Sequence, residues 1–252
     1  MLTKSVLFET AEKILDADYA NFQTAVRVKG RSEALVYIDD HYTFLASTHN
    51  DQIRLTGNVL ALYDGHNVSF YTLEGAQKSQ VEVGRFVHDL VVIPRGVLCT
   101  YSDEGVFEDG HYLVAAYIDG TRKEWHDVAT SNGLTYDILF ARHKPYAVLH
   151  VDDDKLLFFD EALSRINNRA LPFNAGNVLA FCYSYPNWFF IQENELIVLQ
   201  ENDELMRFQT NSSDKVRSCM QKGDVLFLEV NEHQVIGYRQ DEGTNVDDEN
   251  YI

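Results

Sequence analysis

The densest group of side chains that could do chemistry lies in residues 102–111. The group contains four carboxylates and a histidine, namely Asp103, Glu104, Glu108, Asp109 and His111. Carboxylate oxygens of this kind could hold a hard cation, but their spacing lacks the order of an EF-hand loop. Gly105 and Gly110 equally suit a solvated hairpin loop. We therefore expect an acidic surface loop that offers its carboxylates and Phe107 to a partner, and whether a metal occupies it stays open.

Aromatic side chains form a second group, between two predicted strands. The segment Tyr183–Trp188 includes Tyr185 and Trp188, and Arg142 lies in the corresponding segment one repeat earlier. Aromatic and arginine side chains on loops are typical of protein-binding hot spots. Tyr185, Trp188 and Arg142 are therefore predicted interaction residues. The alternative is that Tyr185 and Trp188 fill the space between neighbouring sheets.

Other charged groups have a simpler structural explanation. Asp152, Asp153 and Asp154 fall in a predicted tight turn, where Asp side chains satisfy backbone N–H groups. The pairs His88–Asp89 and His126–Asp127 could be oriented imidazoles for general-base catalysis. They could equally cap a turn or tie adjacent sheets. No catalytic residue is predicted.

Recognisable enzyme and cofactor motifs are missing from the sequence. It has no Gly-x-Ser-x-Gly, His-Glu-x-x-His, phosphate-loop or dinucleotide pattern, so no cofactor is predicted. Cys99, Cys182 and Cys219 are widely spaced within apolar runs and form no metal-ligand pattern. We expect them to be buried thiols in a reducing compartment.

The charge balance narrows the class of partner. Asp and Glu number 39 against 21 Lys and Arg, which gives a formal net charge of −18. Nucleic-acid binding needs a basic footprint, so no nucleic-acid partner is expected. Aromatic residues make up 12% of the chain, which argues against acidic disorder. No apolar run is long enough to cross a bilayer, and the first residues do not resemble a secretion signal. These features predict a cytoplasmic protein without a membrane partner.

An internal repeat indicates how these residues are positioned. Apolar runs ending in an aromatic or Leu residue recur at intervals of about 40 residues. The five anchor residues are Tyr63, Tyr117, Phe159, Leu199 and Tyr238. Two further apolar runs precede each anchor, and a large residue follows four of them. Each unit therefore predicts a four-stranded sheet, because the runs have the composition of strands.

Sheets with this period and two apolar faces are typical of a β-propeller. We predict an all-β, single β-propeller over residues 1–252 with five blades, the alternative being two packed β-sandwiches. Residues 1–30 are predicted to contain a strand, either Val6–Phe8 or Ala25–Val28, that pairs near Val235–Tyr238 and closes the ring. A helix is expected at Glu9–Asn21. Residues 47–58 and 102–111 are predicted long connections, and residues 241–252 a flexible acidic tail.

The stretch Tyr101–Phe107 and the hairpin Tyr112–Trp125 resemble a segment of uncharacterised bacterial β-propeller-like proteins. The chain departs from that pattern at Glu108–Asp109, where the resemblance would place Gly-Asn. The resemblance implies the fold and carries no assigned activity.

Charge and the missing motifs together favour a non-catalytic interaction module that binds a basic protein. One version is a cytoplasmic inhibitor or immunity protein, since complementary charge speeds encounter with such a partner. The alternative is a metal-assisted hydrolase or lyase with Asp, Glu and His side chains around the central channel. Oligomeric state cannot be predicted from these residues.

Overall fold

The structure is a computed structural model that describes residues 2–46, 52–84, 87–101, 113–125, 138–141, 146–150, 153–160, 162, 164–210, 216–219 and 225–240. These residues form 24 strands in six four-stranded antiparallel sheets. No helix occurs among them. The all-β propeller class predicted from the repeat is confirmed.

The chain begins with β1 (Leu2–Glu9), which belongs to the last sheet. Sheet 1 contains β2 (Ile14–Ala20), β3 (Gln23–Lys29), β4 (Ala34–Ile38) and β5 (His41–Ala46). Sheet 2 contains β6 (Gln52–Thr56), β7 (Val59–Tyr63), β8 (Asn67–Thr72) and β9 (Gln77–Glu82). Sheet 3 contains β10 (Val87–Ile93), β11 (Gly96–Tyr101), β12 (Leu113–Tyr117) and β13 (Arg122–Trp125).

Sheet 4 contains β14 (Ile138–Ala141), β15 (Tyr146–His150), β16 (Lys155–Phe159) and β17 (Arg165–Ala170). Sheet 5 contains β18 (Ala180–Ser184), β19 (Asn187–Ile191), β20 (Glu195–Gln200) and β21 (Leu205–Gln209). Sheet 6 contains β22 (Val216–Ser218), β23 (Val225–Val230) and β24 (Gln234–Gln240), with β1 as its fourth strand. In each sheet the first three strands follow the chain order.

Six apolar clusters join the sheets into a ring. Each cluster combines side chains of two neighbouring sheets, and the last joins sheet 6 to sheet 1. Phe190 and Phe227 are examples of large side chains that are fully buried in these clusters. A sheet with two apolar faces gains its stability from both neighbours, which is why the strands are buried on both sides.

The ring closes through the N-terminal strand, as predicted. β1 pairs antiparallel with β24, from Leu2 opposite Gln240 to Glu9 opposite Gln234. The closing strand is the one that contains Val6–Phe8. The other candidate, Ala25–Val28, lies in β3 of sheet 1. Residues 14–29 therefore belong to sheet 1 rather than to the closing segment.

Four details of the N-terminal third differ from the prediction. The count of sheets is six rather than five, because the run from Ala34 to Phe70 divides between sheets 1 and 2. Tyr63 ends a second strand, whereas the other anchors end or lie within third strands. Residues 52–56, expected within a long connection, form β6. The expected helix at Glu9–Asn21 is wrong, because most of it is β2.

Neighbouring sheets are also fastened near their outer edges by a recurring hydrogen bond. Ser79 Oγ donates to the carbonyl of Ile118 (2.8 Å), and Trp125 Nε1 donates to that of Ala162 (3.1 Å). Arg169 Nη2 donates to the carbonyl of Gln200 at 2.8 Å. In each case a fourth-strand side chain reaches the end of the third strand, or the turn after it, in the next sheet. The sheets are thus joined near their outer edges as well as through the apolar clusters between them.

The three cysteines are buried, as predicted. Burial raises the pKa of the Cys182 thiol, so this group stays protonated. Among the described residues, no helix has the length and hydropathy needed to cross a bilayer.

Candidate interaction surface

The innermost strands place two carboxylates at the centre of the ring. Asp16 and Asp18 lie two residues apart in β2 and are 3% and 0% exposed. Asp16 Oδ2 accepts a hydrogen bond from the backbone N–H of Ile53 (2.8 Å), and Asp18 Oδ2 accepts one from Leu55 (2.8 Å). β6 is the first strand of sheet 2, so these N–H groups lie on a sheet edge without a strand partner. The two carboxylates therefore supply the missing acceptors.

Two arginines extend this contact to four consecutive sheets. Arg54 Nη1 donates to Asp16 Oδ2 (2.8 Å), and Arg54 Nε donates to the carbonyl of Leu90 in sheet 3 (2.7 Å). Arg217 of sheet 6 places Nη2 2.6 Å from Asp16 Oδ1. The side chains of Arg54 and Asp16 are 2% and 5% exposed. Each buried charge of this kind is stabilised by its partner, because removing one of the pair leaves an uncompensated charge in the interior.

The axial carboxylates thus have structural partners rather than the open coordination positions that a metal would need. Among the residues that the structure describes, no three His, Cys, Asp or Glu side chains come together as a metal site. The centre as described joins sheets together. A functional surface has to be sought where side chains face solvent.

Topology places the turns on two opposite faces of the ring. Because each sheet has four antiparallel strands, the first strands of successive sheets run in the same direction. The paired contacts of Asp16 with Ile53 and of Asp18 with Leu55 follow that parallel order. We call the hairpin face the end that carries the turns between first and second and between third and fourth strands. The crossover face carries the second-to-third turns and the connections between sheets.

We call the turns between first and second strands the central turns. The structure describes four of them, residues 21–22, 57–58, 94–95 and 185–186. Three of these four present a large exposed side chain. Phe22 is 72% exposed, Tyr185 is 78% exposed, and the Arg95 side chain is 79% exposed. These turns follow the innermost strands, so they lie nearer the axis than the outer turns do, and Arg95 reaches from its turn towards Asp119 in the outer turn of the same sheet (3.8 Å). Phe, Tyr and Arg are residue types that interface centres favour.

Acidic side chains occupy the outer turns, which join third to fourth strands on the same face. The outer turns are residues 39–40, 73–76, 118–121, 160–164 and 201–204. Their described part contains eight carboxylates and no Lys or Arg; the acids are Asp39, Asp40, Glu74, Asp119, Asp160, Glu201, Asp203 and Glu204. The hairpin face therefore has an aromatic and arginine centre within an acidic rim.

Hydrogen bonds hold two rim carboxylates in their charged form. The Thr121 hydroxyl donates to Asp119 Oδ1 (2.6 Å) and the Thr121 backbone N–H donates to the same oxygen (3.1 Å). These bonds lower the pKa of Asp119. The backbone N–H of Glu74 and the Thr72 hydroxyl lower the pKa of Glu74 in the same way. Both groups stay ionised to a lower pH than an ordinary carboxylate.

A tyrosine beside the exposed Tyr185 is joined to the rim. The Tyr183 hydroxyl donates to Glu201 Oε1 at 2.5 Å, and its ring packs 4.9 Å from that of Trp188. Burial, together with the hydrogen bond to Glu201 and the charge of that carboxylate, raises the pKa of Tyr183 to about 12. Arg169 reaches Asp203 in the same outer turn (2.5 Å). The outer turn 201–204 is thus held by side chains of β17 and β18.

The predicted aromatic pair separates in the structure. Tyr185 lies at the tip of a central turn and faces solvent, next to Pro186, with which it forms a cis peptide bond. Trp188 is 5% exposed and packs against Phe158 and Phe181 in the cluster between sheets 4 and 5. The alternative interpretation therefore applies to Trp188, which fills space between sheets and offers no surface to a partner.

The other predicted interaction residues lie outside the described residues. They are Asp103, Glu104, Phe107, Glu108, Asp109 and Arg142. His126 and Asp127 lie outside them too, and only the backbone of His88 and Asp89 is described, within β10. Their roles stay predictions.

The turn interpretation of the Asp152–Asp154 run is confirmed for its described part. Asp153 and Asp154 join β15 to β16, and Asp154 has a left-handed backbone with φ of 49°. Asp154 Oδ1 accepts a hydrogen bond from the backbone N–H of Ala175 at 2.6 Å. This carboxylate therefore stabilises the crossover face.

Sequence reasoning missed Phe22 and Arg95. The helix expected from the sequence ends at Asn21 and leaves Phe22 without an assignment, and Pro94–Arg95 lies between two predicted apolar runs. The available signal was the length of these turns, since a two-residue turn between strands normally contains glycine. A large residue at that position is unusual.

The crossover face carries a shallow groove in sheet 1. It has a volume of about 510 Å³ and is lined by Lys13, Lys29, Arg31, Glu12, Glu33 and neighbouring residues. Lys13 also lies 3.4 Å from Glu232. The groove mixes both signs of charge and lacks the exposed aromatic side chains of the hairpin face.

Comparison with solved structures supports the propeller class. A luciferin-regenerating enzyme matches 96% of this chain and 96% of its own length, with a TM-score of 0.61 and 13% identity. A gluconolactonase from Xanthomonas campestris matches 94% of this chain and 89% of its own, with a TM-score of 0.61 and 11% identity. An inactive virginiamycin B lyase from Staphylococcus aureus matches 97% and 90%, with a TM-score of 0.56 and 8% identity.

At these identities the similarity establishes the fold alone. No sequence profile of a known family matches the chain, and no curated protein sequence matches it. The chain therefore belongs to the β-propeller class by structure.

Proposed function

We propose that the protein is a non-catalytic interaction module that binds a basic protein partner on its hairpin face. The observation that carries the proposal is the arrangement of exposed Phe22, Arg95 and Tyr185 at the centre of that face within a rim of carboxylates. Interfaces combine aromatic and arginine centres with polar rims in this way.

The rim gives the partner its expected charge. Rim carboxylates act mainly on encounter, because they attract an oppositely charged surface before contact and are screened by salt. A basic nuclease-like toxin is one partner of this chemistry, and the protein would then be an inhibitor or immunity protein. The net charge of −18 supports any such basic partner.

The proposal is tested by capture of basic polypeptides from an extract of the cells that make the protein. The probe is the fraction that passes unretained through an anion-exchange column at about pH 8, where most acidic proteins are held back. Immobilised wild-type protein should retain a polypeptide at about 0.05 M salt and release it at about 0.5 M salt. Retention that is unaffected by salt contradicts the electrostatic proposal.

A matched pair of variants locates the contact. The Asp40→Asn, Glu204→Gln double variant neutralises two exposed rim acids, and the Glu12→Gln, Glu193→Gln double variant neutralises two exposed acids on the crossover face. Both change the net charge equally. Slower association of the first variant alone supports the hairpin face. Equal slowing of both would indicate attraction to the whole molecule.

A metal-assisted hydrolase or lyase is the second candidate. It is supported by the activities named for two propellers of similar fold, the gluconolactonase and the virginiamycin B lyase. Metal analysis of the purified protein separates the two candidates. A divalent ion at about one per chain favours the enzyme, whereas metal-free protein that retains a basic polypeptide favours the interaction module.

A further inference from the structure

Phe22 combines a glycine-type backbone with an exposed aromatic ring. β2 and β3 pair from Ala20 opposite Gln23, so Asn21 and Phe22 form a two-residue turn. Their φ angles are 52° and 63°, as in a type I′ turn. Glycine is preferred at the second position of that turn because a Cβ atom disfavours the left-handed conformation. Phe22 occupies it with its ring 72% exposed.

Arg95 repeats this combination in sheet 3. β10 and β11 pair from Ile93 opposite Gly96, which leaves Pro94 and Arg95 as the turn. Arg95 has φ of 63°. A proline followed by a residue with positive φ is the pattern of a type II turn, in which that residue is normally glycine.

These two residues are exceptions within the molecule. Among the described residues, six other than glycine have positive φ, and the remaining four are Asn21, Asp39, Asp154 and Asp203. Asn and Asp tolerate the left-handed region, because their short side chains bond to the local backbone. The two that do not both lie in central turns of the hairpin face. In the central turn of sheet 2, the positive φ of 62° belongs to Gly57, as turn chemistry prefers.

The fold gains little from either side chain. The Phe22 ring is mostly in solvent and so buries little apolar area. Arg95 lies 3.8 Å from Asp119, but both side chains are at least half exposed, and exposed ion pairs contribute little to stability. A locally unfavourable residue without a folding benefit is typical of functional sites.

We propose that Phe22 and Arg95 are the binding anchors of the hairpin face. Phe22 enters an apolar pocket on the basic partner protein, and Arg95 donates hydrogen bonds to a carbonyl or carboxylate beside that pocket. The inference rests on the proposed function and adds to it the shape of the partner: an apolar pocket with a nearby acceptor, surrounded by basic side chains that face the rim.

The test measures stability and binding in the same variants. Phe22→Gly and Arg95→Gly should each raise the melting temperature, on the order of 2–4 °C, because the turn gains its preferred residue. Each should also lower retention of the basic polypeptide fraction described above, by about tenfold or more for Phe22→Gly. Phe22→Asn, which tolerates the same backbone without the added freedom of glycine, should reproduce the loss of retention.

Gly84→Ala is the matched control. Gly84 has φ of 102° on the crossover face, so an alanine there is strained and should lower the melting temperature. Retention by this variant should equal that of wild type at temperatures well below unfolding. It separates a change in stability from a change in binding.

Three outcomes overturn the inference. If Phe22→Gly and Arg95→Gly raise the melting temperature but retain the polypeptide as wild type does, the anchors are wrong while the proposed function stands. If the two variants lower the melting temperature, the side chains contribute to folding, and their left-handed backbone is then no sign of a binding role. If wild-type protein retains nothing at low salt, the proposed function and the anchors fail together.

Discussion

Carboxylate and arginine side chains occur both at the axis and on the hairpin face, but they have different roles in the two places. At the axis, Asp16 is almost fully buried and bonds to Ile53, Arg54 and Arg217 of two other sheets. On the hairpin face, Asp40 and Glu204 are exposed, and Arg95 points into solvent. The difference shows that a charge in this protein has to be assigned by its surroundings. Buried charges join sheets, and exposed charges are available to a partner.

This comparison predicts that substitutions in the two regions have separate effects, one on stability and the other on association with the partner. Substitutions at the axis should change the free energy of unfolding and leave the chemistry of the hairpin face intact. Substitutions on the hairpin face should change association while leaving the free energy of unfolding unchanged, or improving it at the central turns.

The largest effect is expected for Asp16→Ala. The substitution leaves the buried guanidinium of Arg54 without its carboxylate and the N–H of Ile53 without an acceptor. We expect a loss of about 3–5 kcal/mol in the free energy of unfolding, as measured by denaturant titration. Asp153→Ala, in an exposed turn, is the control and should cost less than about 1 kcal/mol. Similar losses for both would contradict the assignment of the axis.

A smaller effect is expected for the rim variant Asp40→Asn, Glu204→Gln. Its association rate with the captured basic polypeptide should fall by roughly a few-fold at low salt, because two attracting charges are removed. Its free energy of unfolding should stay within about 0.5 kcal/mol of wild type. Stopped-flow kinetics and denaturant titration measure the two quantities. A large loss of stability would show that the rim acids belong to the fold.

The pH dependence of the rim sharpens the comparison further. The pKa of Asp119 is lowered by Thr121, so its charge and its contribution to stability are present above the ordinary carboxylate pKa and are lost only as pH falls through the lowered value. Thr121→Val removes the hydroxyl donor and should move the pKa of Asp119 upward. Carboxyl-carbon NMR titration measures the shift. An unchanged pKa would mean that the hydrogen bond to the hydroxyl has no influence.

The smallest effect concerns Tyr183. Its pKa is raised to about 12, so the stability from its neutral form is present below the ordinary tyrosine pKa and is lost as pH rises through about 12. Glu201→Gln removes the neighbouring negative charge and should lower that pKa. The difference in alkaline absorbance between chains with and without Tyr183→Phe isolates this group. A pKa unaffected by Glu201→Gln would leave burial as the sole cause.

The sequence predicts the propeller well because its signal is the repeated alternation of apolar runs and turns. The closing strand at Val6–Phe8 follows from the same reasoning, since the last unit lacks its fourth strand. The N-terminal third is harder to predict from the sequence. β2 lies within the segment expected to be a helix, and the acceptor role of its Asp16 and Asp18 depends on N–H groups of another sheet.

The candidate surface was only partly predictable. Tyr185 is visible as an aromatic residue in a turn. Trp188 is three residues away and was grouped with it, but the strand β19 points its ring into the cluster between sheets. Phe22 and Arg95 need a known turn length and backbone conformation before they stand out. Their importance depends on φ values that composition does not reveal.

The central claim is that the partner covers the hairpin face, and side-chain footprinting tests it most directly. Hydroxyl-radical oxidation should modify Phe22 and Tyr185 readily in the free protein, since both rings are exposed. In the complex with the captured basic polypeptide, we predict strong protection of these two rings. His66 and His233, exposed on the crossover face, should stay as reactive as before. Protection of the histidines with unchanged oxidation of Phe22 and Tyr185 would contradict the account.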